Sequence, residues 1–387
     1  MNFKEKSGNF LYDLVHTTPK NKIIVIIREV ILAILLLLSF IYSFVIKARL
    51  FLYSIGFFRS TKVACFVISL GNITLGGTGK TPLAQKLALD LKDRGHNVTI
   101  LNRGYKANFK GEIGLVSDGQ AIYMEPSECG DEAYLLAKTL NGVSVVIGRD
   151  RGRTGWYAKN KLNTNVIIVD DGYQHLKIKR DLNVVLIDTL NPFGNKFVLP
   201  RGTLREPLGC LNRANLFVLT KSNQTNEKRQ NEISDELKKY NNRAKILESF
   251  HASANISNIK NWLEGLNEDD DKINVQDQEI LAFSAIGNPE SFKNTLQEKG
   301  FKILGYIPFP DHHFYTSDEL EKLGAKACFI KAKALMTTEK DAVKIPVEFI
   351  EKCEIPIYVL SIKITFKDQN KYYDLLDYIE DGINKYK

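Results

Sequence analysis

Near residue 70, a glycine-rich turn joins an apolar run to a helical pattern. Val63–Leu70 is apolar enough to form a buried strand, and the sequence GNITLGGTGKT follows it directly. An amphipathic pattern then opens at Thr81, and Pro82 suits the first helical turn because a missing N–H costs little there. A glycine-rich loop between a strand and a helix turns backbone N–H groups toward phosphate oxygens. The order therefore predicts a phosphate-binding loop in an α/β protein.

The side chains of this turn suit a nucleoside triphosphate, ATP, together with Mg²⁺. A lysine in this place reaches the β- and γ-phosphate oxygens, and the hydroxyl that follows it binds Mg²⁺. Thr74 stands where the usual pattern has its first glycine, so later glycines must supply the flexibility. We expect the nucleotide to be bound by Gly76, Gly77, Thr78, Gly79, Lys80 and Thr81.

A second acidic position follows a neighbouring predicted strand. Val166–Val169 is apolar and is followed by Asp170 and Asp171. Because the carboxyl ends of parallel strands meet at one edge of a sheet, these acids should lie near the phosphates. Alone, the sequence DDG is more often a turn than a metal site. Beside a phosphate-binding loop, it predicts Asp170 and Thr81 as the Mg²⁺ ligands, directly or through water.

Short apolar runs alternate with amphipathic stretches of helical length from residue 63 onward. This alternation predicts an α/β fold of the P-loop NTPase type, a parallel sheet with helices on both faces. The predicted strands are Val63–Leu70, Val98–Asn102, Val143–Ile147, Val166–Val169, Val184–Ile187 and Leu216–Thr220. The predicted helices are Thr81–Arg94, Asp131–Leu140 and Arg151–Lys161.

We divide the chain into three parts: a membrane-associated helical segment over 1–62, a P-loop domain over 63–222 and a smaller α/β domain over 223–387. The third part begins with a polar stretch over 223–279, in which the acidic run Glu268–Asp271 is expected to be a solvated loop. Its predicted strands are Ile280–Ile286 and Ile357–Ile362, and its predicted helices are Pro289–Glu298 and Ser317–Ala334.

Charge and apolar residues are both concentrated at the start of the chain. Nine basic and three acidic side chains lie within residues 1–62, so this segment carries +6 of the net charge of +8. Such a segment suits nucleic acid or an anionic membrane surface. Val30–Ile46 is an uncharged apolar run of 17 residues, and Leu50–Phe58 is a second apolar stretch. The apolar content favours the membrane, so we expect an anionic membrane surface as partner and no nucleic acid.

The apolar run would rise about 25 Å as a helix, which is at the short limit for a membrane span. A span with a cytosolic nucleotide domain would place basic residues outside, against the positive-inside rule. Basic residues flank both ends of the run, which favours an in-plane helix or a shallow helical hairpin on the cytosolic leaflet. A buried helix of a soluble core is the alternative.

The composition excludes several other classes of protein. With 44% hydrophobic and 25% charged residues, the chain has the balance of a globular protein. Its five cysteines are scattered and form no CxxC pair, so neither a disulfide framework nor a zinc ribbon is expected. The six histidines include no HExxH, which argues against a zinc protease.

Three further clusters carry polar chemistry. In DDGYQH, a turn explains the first residues but not Gln174 and His175, which predict a substrate-binding loop. Asp131 opens a helical pattern and is either its N-cap or a base that accepts a proton from an acceptor hydroxyl. In FPDHHFY, His312 and His313 belong either to a solvated loop or to a group that closes over the nucleotide cleft.

Nine short motifs occur in order along the chain. They are GNITLGGTGKTP, NRGY, GDEA, GRDR, DDGYQH, RGTLREP, GNPESF, PDHHFY and TTEKDAVK. Together with the N-terminal membrane segment, this set resembles the tetraacyldisaccharide 4′-kinase family of lipid A biosynthesis, as far as about residue 346.

The resemblance implies a kinase that moves the γ-phosphate of ATP to the 4′-hydroxyl of a tetraacylated glucosamine disaccharide 1-phosphate, a lipid A precursor. It implies work at the cytoplasmic face of the inner membrane of a Gram-negative bacterium. The family's catalytic dyad falls on Asp131, which would take the acceptor proton, and on His312, which would assist. Its substrate-contacting positions fall on Arg151, Asp171, His175 and Glu206.

Two other classes of function remain open on the sequence alone. A membrane-associated P-loop NTPase would hydrolyse ATP without a lipid acceptor. A nucleic-acid-binding protein would use the basic segment and would bind in a salt-sensitive manner. Protein-kinase chemistry is disfavoured because the chain has no HRD, DFG or GxGxxG motif.

Overall fold

The computed structural model describes residues 22–265 and 278–386. Residues 1–21, which hold part of the predicted basic segment, and the acidic run Glu268–Asp271 lie outside the described residues. The described chain forms a twelve-stranded, mainly parallel sheet with helices on both faces. The α/β fold class predicted from the sequence is confirmed.

Seven strands form the half of the sheet that carries the glycine-rich turn. They are β1 (Phe66–Gly71), β2 (Val98–Asn102), β3 (Gly114–Ser117), β4 (Ser144–Ile147), β5 (Val166–Val169), β6 (Leu182–Asp188) and β7 (Leu216–Thr220). Their order across the sheet is β7-β6-β1-β5-β2-β4-β3. Every pair is parallel except β3 with β4.

Helices cover both faces of this half because its central strands are apolar on both sides. They are α2 (Lys80–Asp93), α3 (Pro126–Cys129), α4 (Asp131–Thr139), α5 (Arg151–Lys161) and α6 (Glu227–Tyr240), with 3₁₀ turns at Leu208–Arg213 and Ser222–Gln224. Phe66 and Ile68 of β1 pack in one core cluster with α2 and α4, whereas Val67 packs in another with α5. Successive side chains of a strand point to opposite faces of the sheet, so α2 and α4 lie on one face and α5 lies on the other.

A long strand, β8 (Lys245–Asn258), continues the sheet into the second half. Its start pairs in parallel with β7, and its remainder pairs antiparallel with β12 (Ile357–Phe366). Beyond β12 lie β11 (Ala334–Thr338), β9 (Glu279–Ser284) and the edge strand β10 (Lys302–Pro308), all parallel to one another. One continuous sheet therefore runs through both halves.

The helices of the second half are α7 (Ile259–Glu264), α8 (Pro289–Glu298), α9 (Ser317–Phe329), α10 (Glu339–Ala342), α11 (Val347–Lys352) and α12 (Gln369–Asn384). The predicted helix Ser317–Ala334 is wrong beyond Phe329. Lys331 has a φ of 57°, a left-handed conformation that a right-handed helix cannot contain, and Ala334 begins β11.

The last helix, α12, returns to the first half of the sheet. Its buried residues Tyr372 and Ile379 belong to the same core cluster as β1 and α2. At its surface, Arg94 at the end of α2 pairs with Asp377 and Glu380 at 2.6 and 3.0 Å. The chain therefore crosses between the halves twice.

The N-terminal helix α1 (Lys22–Ser54) has 33 residues and is long and apolar enough to cross a membrane by length and composition. Only 17% of its most apolar window is buried, which argues against a core helix. One narrow face is anchored: the Ser39 hydroxyl donates to the Val198 carbonyl at 2.8 Å, and Leu32 and Leu35 are buried. A single helix occupies the place of the predicted hairpin, since α1 continues through Leu50.

Candidate active site

The glycine-rich turn lies at the carboxyl edge of the sheet, between β1 and α2. Gly76 and Gly79 have φ values of 111° and 85°, which side-chain-bearing residues rarely adopt. A Cβ atom at Gly76 or Gly77 would meet nothing within 4 Å, so space remains in front of the backbone. The N–H groups at the start of α2 and the positive end of its dipole make this space suitable for phosphate.

Thr74 shows how the turn works without its first glycine. Thr74 is buried and forms an antiparallel bridge with Leu204. Next to it, the N–H of Arg205 donates to the carbonyl of Ile73 at 2.6 Å. The first part of the turn is therefore extended backbone paired with a second loop, which any residue can adopt.

Lys80 begins α2 and is held by two side chains. Its Nζ donates to Oδ1 of Asn72 at 3.1 Å and lies 3.4 Å from Oδ1 of Asp171. Asp171 also accepts two hydrogen bonds from Nη1 of Arg205, at 2.9 and 2.7 Å. Burial raises the pKa of Asp171, but the charges of Lys80 and Arg205 outweigh it and hold that pKa below its ordinary value.

Asp170 follows β5 and is buried with one oxygen free. The Nδ2 of Asn102 donates to its Oδ2 at 2.9 Å, whereas its Oδ1 has no partner among the described residues. Burial and then the charges of Glu132 and Asp171 raise the pKa of Asp170 to about 6. A buried, unpartnered carboxylate oxygen beside a phosphate-binding turn fits a Mg²⁺ ligand.

Thr81, the second residue of α2, lies at the same sheet edge as Asp170. Within the described ranges, no three His, Cys, Asp or Glu side chains form a group that could hold a metal. At a nucleotide site, phosphates and water supply most of the ligands of Mg²⁺.

Asp131 and His312 come from opposite halves of the sheet and contact each other. The Nδ1–H of His312 donates to Oδ1 and Oδ2 of Asp131, at 2.8 and 2.9 Å. Burial raises the pKa of Asp131, but the hydrogen bond from His312 and then the charges of nearby basic groups, among them Lys340 and Lys344, hold it below its ordinary value. The carboxylate is therefore ionised at neutral pH and able to accept a proton.

The N-cap interpretation of Asp131 is wrong. Gly130 occupies the N-cap of α4, and Asp131 is the first helical residue. Gly130 has a φ of 88°, and a Cβ there would lie 2.6 Å from the carbonyl oxygen of Tyr105. Only glycine fits this place, and it sets the direction in which Asp131 leaves the backbone.

Of the two adjacent histidines, only His312 faces the other half. His312 has a φ of 60°, and its N–H donates to the carbonyl of Ala285 at 3.1 Å. Its ring packs against Tyr105, with centroids 5.1 Å apart. His313 turns away, with Nε2 2.9 Å from Glu319 within its own half. The left-handed backbone at His312 separates the two rings.

Two further contacts join the halves beside this pair. The Nζ of Lys106 donates to the backbone carbonyl of Asp311 at 2.9 Å. Lys340 of α10 forms an ion pair with Glu132 of α4. Glu132 in turn raises the pKa of Asp170, so the Asp–His pair and the predicted metal ligand lie in one electrostatic neighbourhood.

The predicted substrate residues Arg151 and His175 lie close enough for the charge of Arg151 to act on His175. Arg151 is 1% exposed; its Nη1 donates to the carbonyls of Asn102 (2.9 Å) and Gly148, while Nε and Nη2 have no partner among the described residues. Burial lowers the pKa of Arg151 to about 10, and the guanidinium stays charged. Burial and the charges of Arg151 and Arg103 lower the pKa of His175 to about 4, so its imidazole is neutral.

Two more of the predicted substrate residues, Glu206 and Gln174, have structural partners. Glu206 is 4% exposed and forms an ion pair with Arg213. The Nε2 of Gln174 donates to the carbonyl of Asn72 at 3.0 Å, which ties its loop to the glycine-rich turn. The contact with substrate stays a prediction for both residues.

The helix α1 ends against the same loops. The Nη2 of Arg49 donates to the carbonyl of Gln174 at 3.4 Å, and the Tyr42 hydroxyl donates to that of Arg205 at 3.0 Å. The apolar helix therefore leads directly to the loops that carry Asp171 and Gln174.

Several residues of the site have no role in the sequence prediction. Asn72, Asn102, Lys340 and Lys344 each lie in one of the nine motifs, but the motif alone did not indicate a contact. Only the fold places Lys340 and Lys344 beside α4.

A phosphate-binding turn after β1, a lysine opening the next helix and a buried acid after β5 define a P-loop nucleoside-triphosphate-binding protein. The profile of a family described as tetraacyldisaccharide-1-P 4′-kinase matches residues 31–380. The chain belongs to this family, and the family predicted from the motifs is confirmed.

Individual relatives agree over nearly the whole chain. A tetraacyldisaccharide 4′-kinase of Halothermothrix orenii is 36% identical over 374 residues, which cover 95% of this chain and 96% of the relative. One of Syntrophus aciditrophicus is 37% identical over 354 residues, covering 89% and 92%. The crystal structure of LpxK from Aquifex aeolicus in complex with ATP matches with a TM-score of 0.70 at 32% identity, covering 90% of this chain and 99% of that chain.

Proposed function

We propose that this protein transfers the γ-phosphate of ATP to the 4′-hydroxyl of tetraacyldisaccharide 1-phosphate in lipid A biosynthesis. Family membership and the ATP-bound relative support the activity and the cofactor. The observation that carries the proposal is the contact between Asp131 of the first half and His312 of the second. The carboxylate in this contact would serve as the general base for a hydroxyl bound next to the phosphates.

The nucleotide would bind along the turn from Gly76 to Thr81. Its backbone N–H groups and Lys80 would hold the phosphates, and Lys80 would exchange part of its contact with Asp171 for a phosphate oxygen. Asp170 and Thr81 would hold Mg²⁺, which neutralises charge on the phosphates when bound. The free Oδ1 of Asp170 supports this assignment.

In the transfer step, the acceptor oxygen bonds to the γ-phosphorus while the bond to the β,γ-bridging oxygen breaks and ADP leaves. The hydroxyl proton goes to Asp131, and the hydrogen bond from His312 holds that carboxylate in place. The low pKa of Asp131 keeps it ionised until the acceptor arrives. A base held between two protein halves pre-organises the reaction, since less motion remains to be restricted.

The acceptor would bind between this base and helix α1. Arg151, Asp171, Gln174, His175 and Glu206 would contact its sugar and phosphate groups. The unpartnered N–H groups of Arg151 support an anionic or polar ligand there. The exposed apolar face of α1 would meet the acyl chains and the bilayer.

The site of action would be the cytoplasmic face of the inner membrane of a Gram-negative bacterium. Lys47, Arg49 and Arg59 cluster near the end of α1 that contacts the active-site loops. Basic side chains there would meet anionic headgroups while the apolar helix enters the bilayer. The nucleotide would be drawn from the cytosol.

The test is transfer of ³²P from γ-labelled ATP to tetraacyldisaccharide 1-phosphate in detergent micelles. Asp131→Ala and His312→Ala should lower kcat by about 10²-fold or more, since general-base catalysis contributes that much. His313→Gln is the matched control, because His313 faces Glu319, and it should keep near-normal transfer. Free phosphate released equally without lipid would contradict the proposal and favour a P-loop NTPase that hydrolyses ATP.

A further inference from the structure

A buried ion pair, Lys344 with Asp341, lies next to Asp131. The Nζ of Lys344 is 2.9 Å from Oδ1 of Asp341 and 3.8 Å from Oδ2 of Asp131. The side chains of Lys344 and Asp341 are both 0% exposed. Lys344 cannot reach a nucleotide or an acceptor from there, so its charge acts within the protein.

Asp341 ties this lysine to the loop that carries His312. Its carboxylate accepts the N–H of Ala285 at 3.1 Å and the hydroxyl of Tyr315 at 2.9 Å. The carbonyl of Ala285 accepts the N–H of His312 at 3.1 Å. The Asp341 carboxylate therefore holds in place both Lys344 and, through Ala285, the backbone of His312.

The charges around the Asp131–His312 pair come from α4, from the loop with His312, and from α10 with the residues after it. The charged groups are Glu132, Asp311, Lys340, Asp341 and Lys344, and the phenols of Tyr105 and Tyr315 lie nearby. Glu132 and Lys340 pair with each other, and Asp311 is half exposed, 3.7 Å from Nε2 of His312.

The net charge of the fully buried ionisable groups at the pair can be counted. Asp131, Asp341 and Lys344 together carry a net charge of −1, which one proton on the Asp131–His312 pair would cancel. A buried cluster with one excess negative charge accepts one proton favourably and a second unfavourably, because charge is costly to bury.

We infer that Lys344 is a positioning residue that sets the charge balance of the Asp131–His312 pair, so that the pair stays free to take one proton from the acceptor. The inference rests on the proposed function. Without the lysine, Asp131 and Asp341 would lose the cation that lies next to both, and the pair would already hold a proton before the acceptor arrived. The charge of Lys344 is one of those that keep the pKa of Asp131 low.

Three variants change this charge in different directions. Lys344→Met makes the buried net charge −2, Asp341→Asn makes it 0, and the double variant restores −1. The readout is the pH dependence of kcat for lipid phosphorylation, whose acidic limb reports proton uptake by the coupled pair. The acidic limb should move up by about one pH unit or more in Lys344→Met, because a charge at this distance shifts a pKa by that much. It should move down in Asp341→Asn and return near its original position in the double variant.

A purely structural role predicts a different pattern. In that case kcat would fall in all three variants and the acidic limb would stay in place, which would overturn the inference. Lys344→Met leaves Asp341 buried without a cation and is the variant most prone to misfold. If it does, Asp341→Asn and the double variant still differ by one charge and should differ in their acidic limbs. ATP binding and the far-UV CD spectrum check that each variant is folded.

A second measurement separates this inference from the proposed function. The ¹⁵N shifts of His312 in ¹⁵N-histidine-labelled protein report its protonation without any turnover. Wild-type protein that phosphorylates no lipid would overturn the proposed function, whereas the order in which the variants' Asp131–His312 pairs take up a proton tests the role of Lys344 in either case. The order Lys344→Met, then the double variant, then Asp341→Asn, from high to low pH, is expected, and identical midpoints would contradict it.

Discussion

Asp171 illustrates how far a motif predicts the role of a single residue. The sequence DDG after an apolar run predicted two acids at the nucleotide edge, and both lie there. Their different environments were not predictable, because Lys80 and Arg205 approach Asp171 from distant parts of the chain. Asp170, one residue away, is buried and accepts its hydrogen bond from the neutral amide of Asn102. The same limit applies to Lys344, whose motif gives no sign that it faces Asp131.

His175 gives a prediction for the pH dependence of stability. Its ordinary pKa is 6.5, and burial with two arginine charges lowers the pKa to about 4 in the folded protein. As pH falls below 6.5 the unfolded chain takes up a proton that the folded protein does not, so folded stability is lost. At pH 5 the loss is about 2 kcal/mol, at 1.36 kcal/mol for each unit between the two states. His175→Gln removes this group and should lose less unfolding free energy between pH 7 and pH 5 than wild type.

Urea unfolding in detergent at both pH values measures this difference. His313→Gln, in the other half beside Glu319, is the control for removing a histidine. Equal losses in wild type and His175→Gln would contradict the neutral, buried state of His175.

At the scale of elements, the strands that the sequence predicted best are those buried on both faces. The bounds of β2, β5 and β7 agree with the prediction to the residue, because each is a mainly apolar run that is buried along its whole length. The strand β8 was not predicted, since it is polar and is held by backbone pairing to both neighbours. The edge strand β10 was missed because it is only partly buried. Period and apolarity therefore predicted several core strands but missed β11, which is buried throughout, as well as the strands at a junction or an edge.

Helix α1 gives a prediction from its two faces. Leu37 is 62% exposed, whereas Leu35 is 8% exposed against the protein. Leu37→Lys should weaken binding to vesicles that contain anionic phospholipid at least tenfold, because a charge replaces apolar surface that would enter the bilayer. It should leave the melting temperature almost unchanged.

Leu35→Lys should show the reverse pattern, with a small effect on vesicle binding and a large effect on stability. It buries an unpaired charge and should lower the melting temperature by several degrees. Vesicle cosedimentation and thermal unfolding of the two variants measure both effects. Equal effects of the two substitutions on vesicle binding would contradict the orientation of α1.

At the scale of the whole molecule, the part of the site that holds Asp131 and His312 lies where the two halves meet. Asp131, Glu132 and Lys106 belong to the first half, and their partners His312, Lys340 and Asp311 belong to the second. The family resemblance named Asp131 and His312 as a pair, whereas the other two contacts have no sequence signal because their partners are distant along the chain. The motifs predicted which residues matter, and the shared sheet explains how they meet.

The Glu132–Lys340 ion pair should show energetic coupling between the halves. Glu132→Gln and Lys340→Met each leave a charge without its partner, and each should lower the free energy of unfolding by about 1–2 kcal/mol. The double variant should lose less than the sum of the two. Denaturant unfolding of the four proteins gives the coupling, and additive losses would show that the pair does not join the halves.

The return of α12 to the first half has a consequence for how the protein is made. The nucleotide-binding half is complete in sequence by residue 248, where β8 leaves β7, but its core includes Tyr372 and Ile379. On the ribosome, that core stays open while more than one hundred further residues are added, which takes about 6–25 s at bacterial rates. The apolar helix α1 has by then long left the exit tunnel. If α1 binds the membrane as proposed, it is therefore available to do so before the core of the nucleotide-binding half is complete.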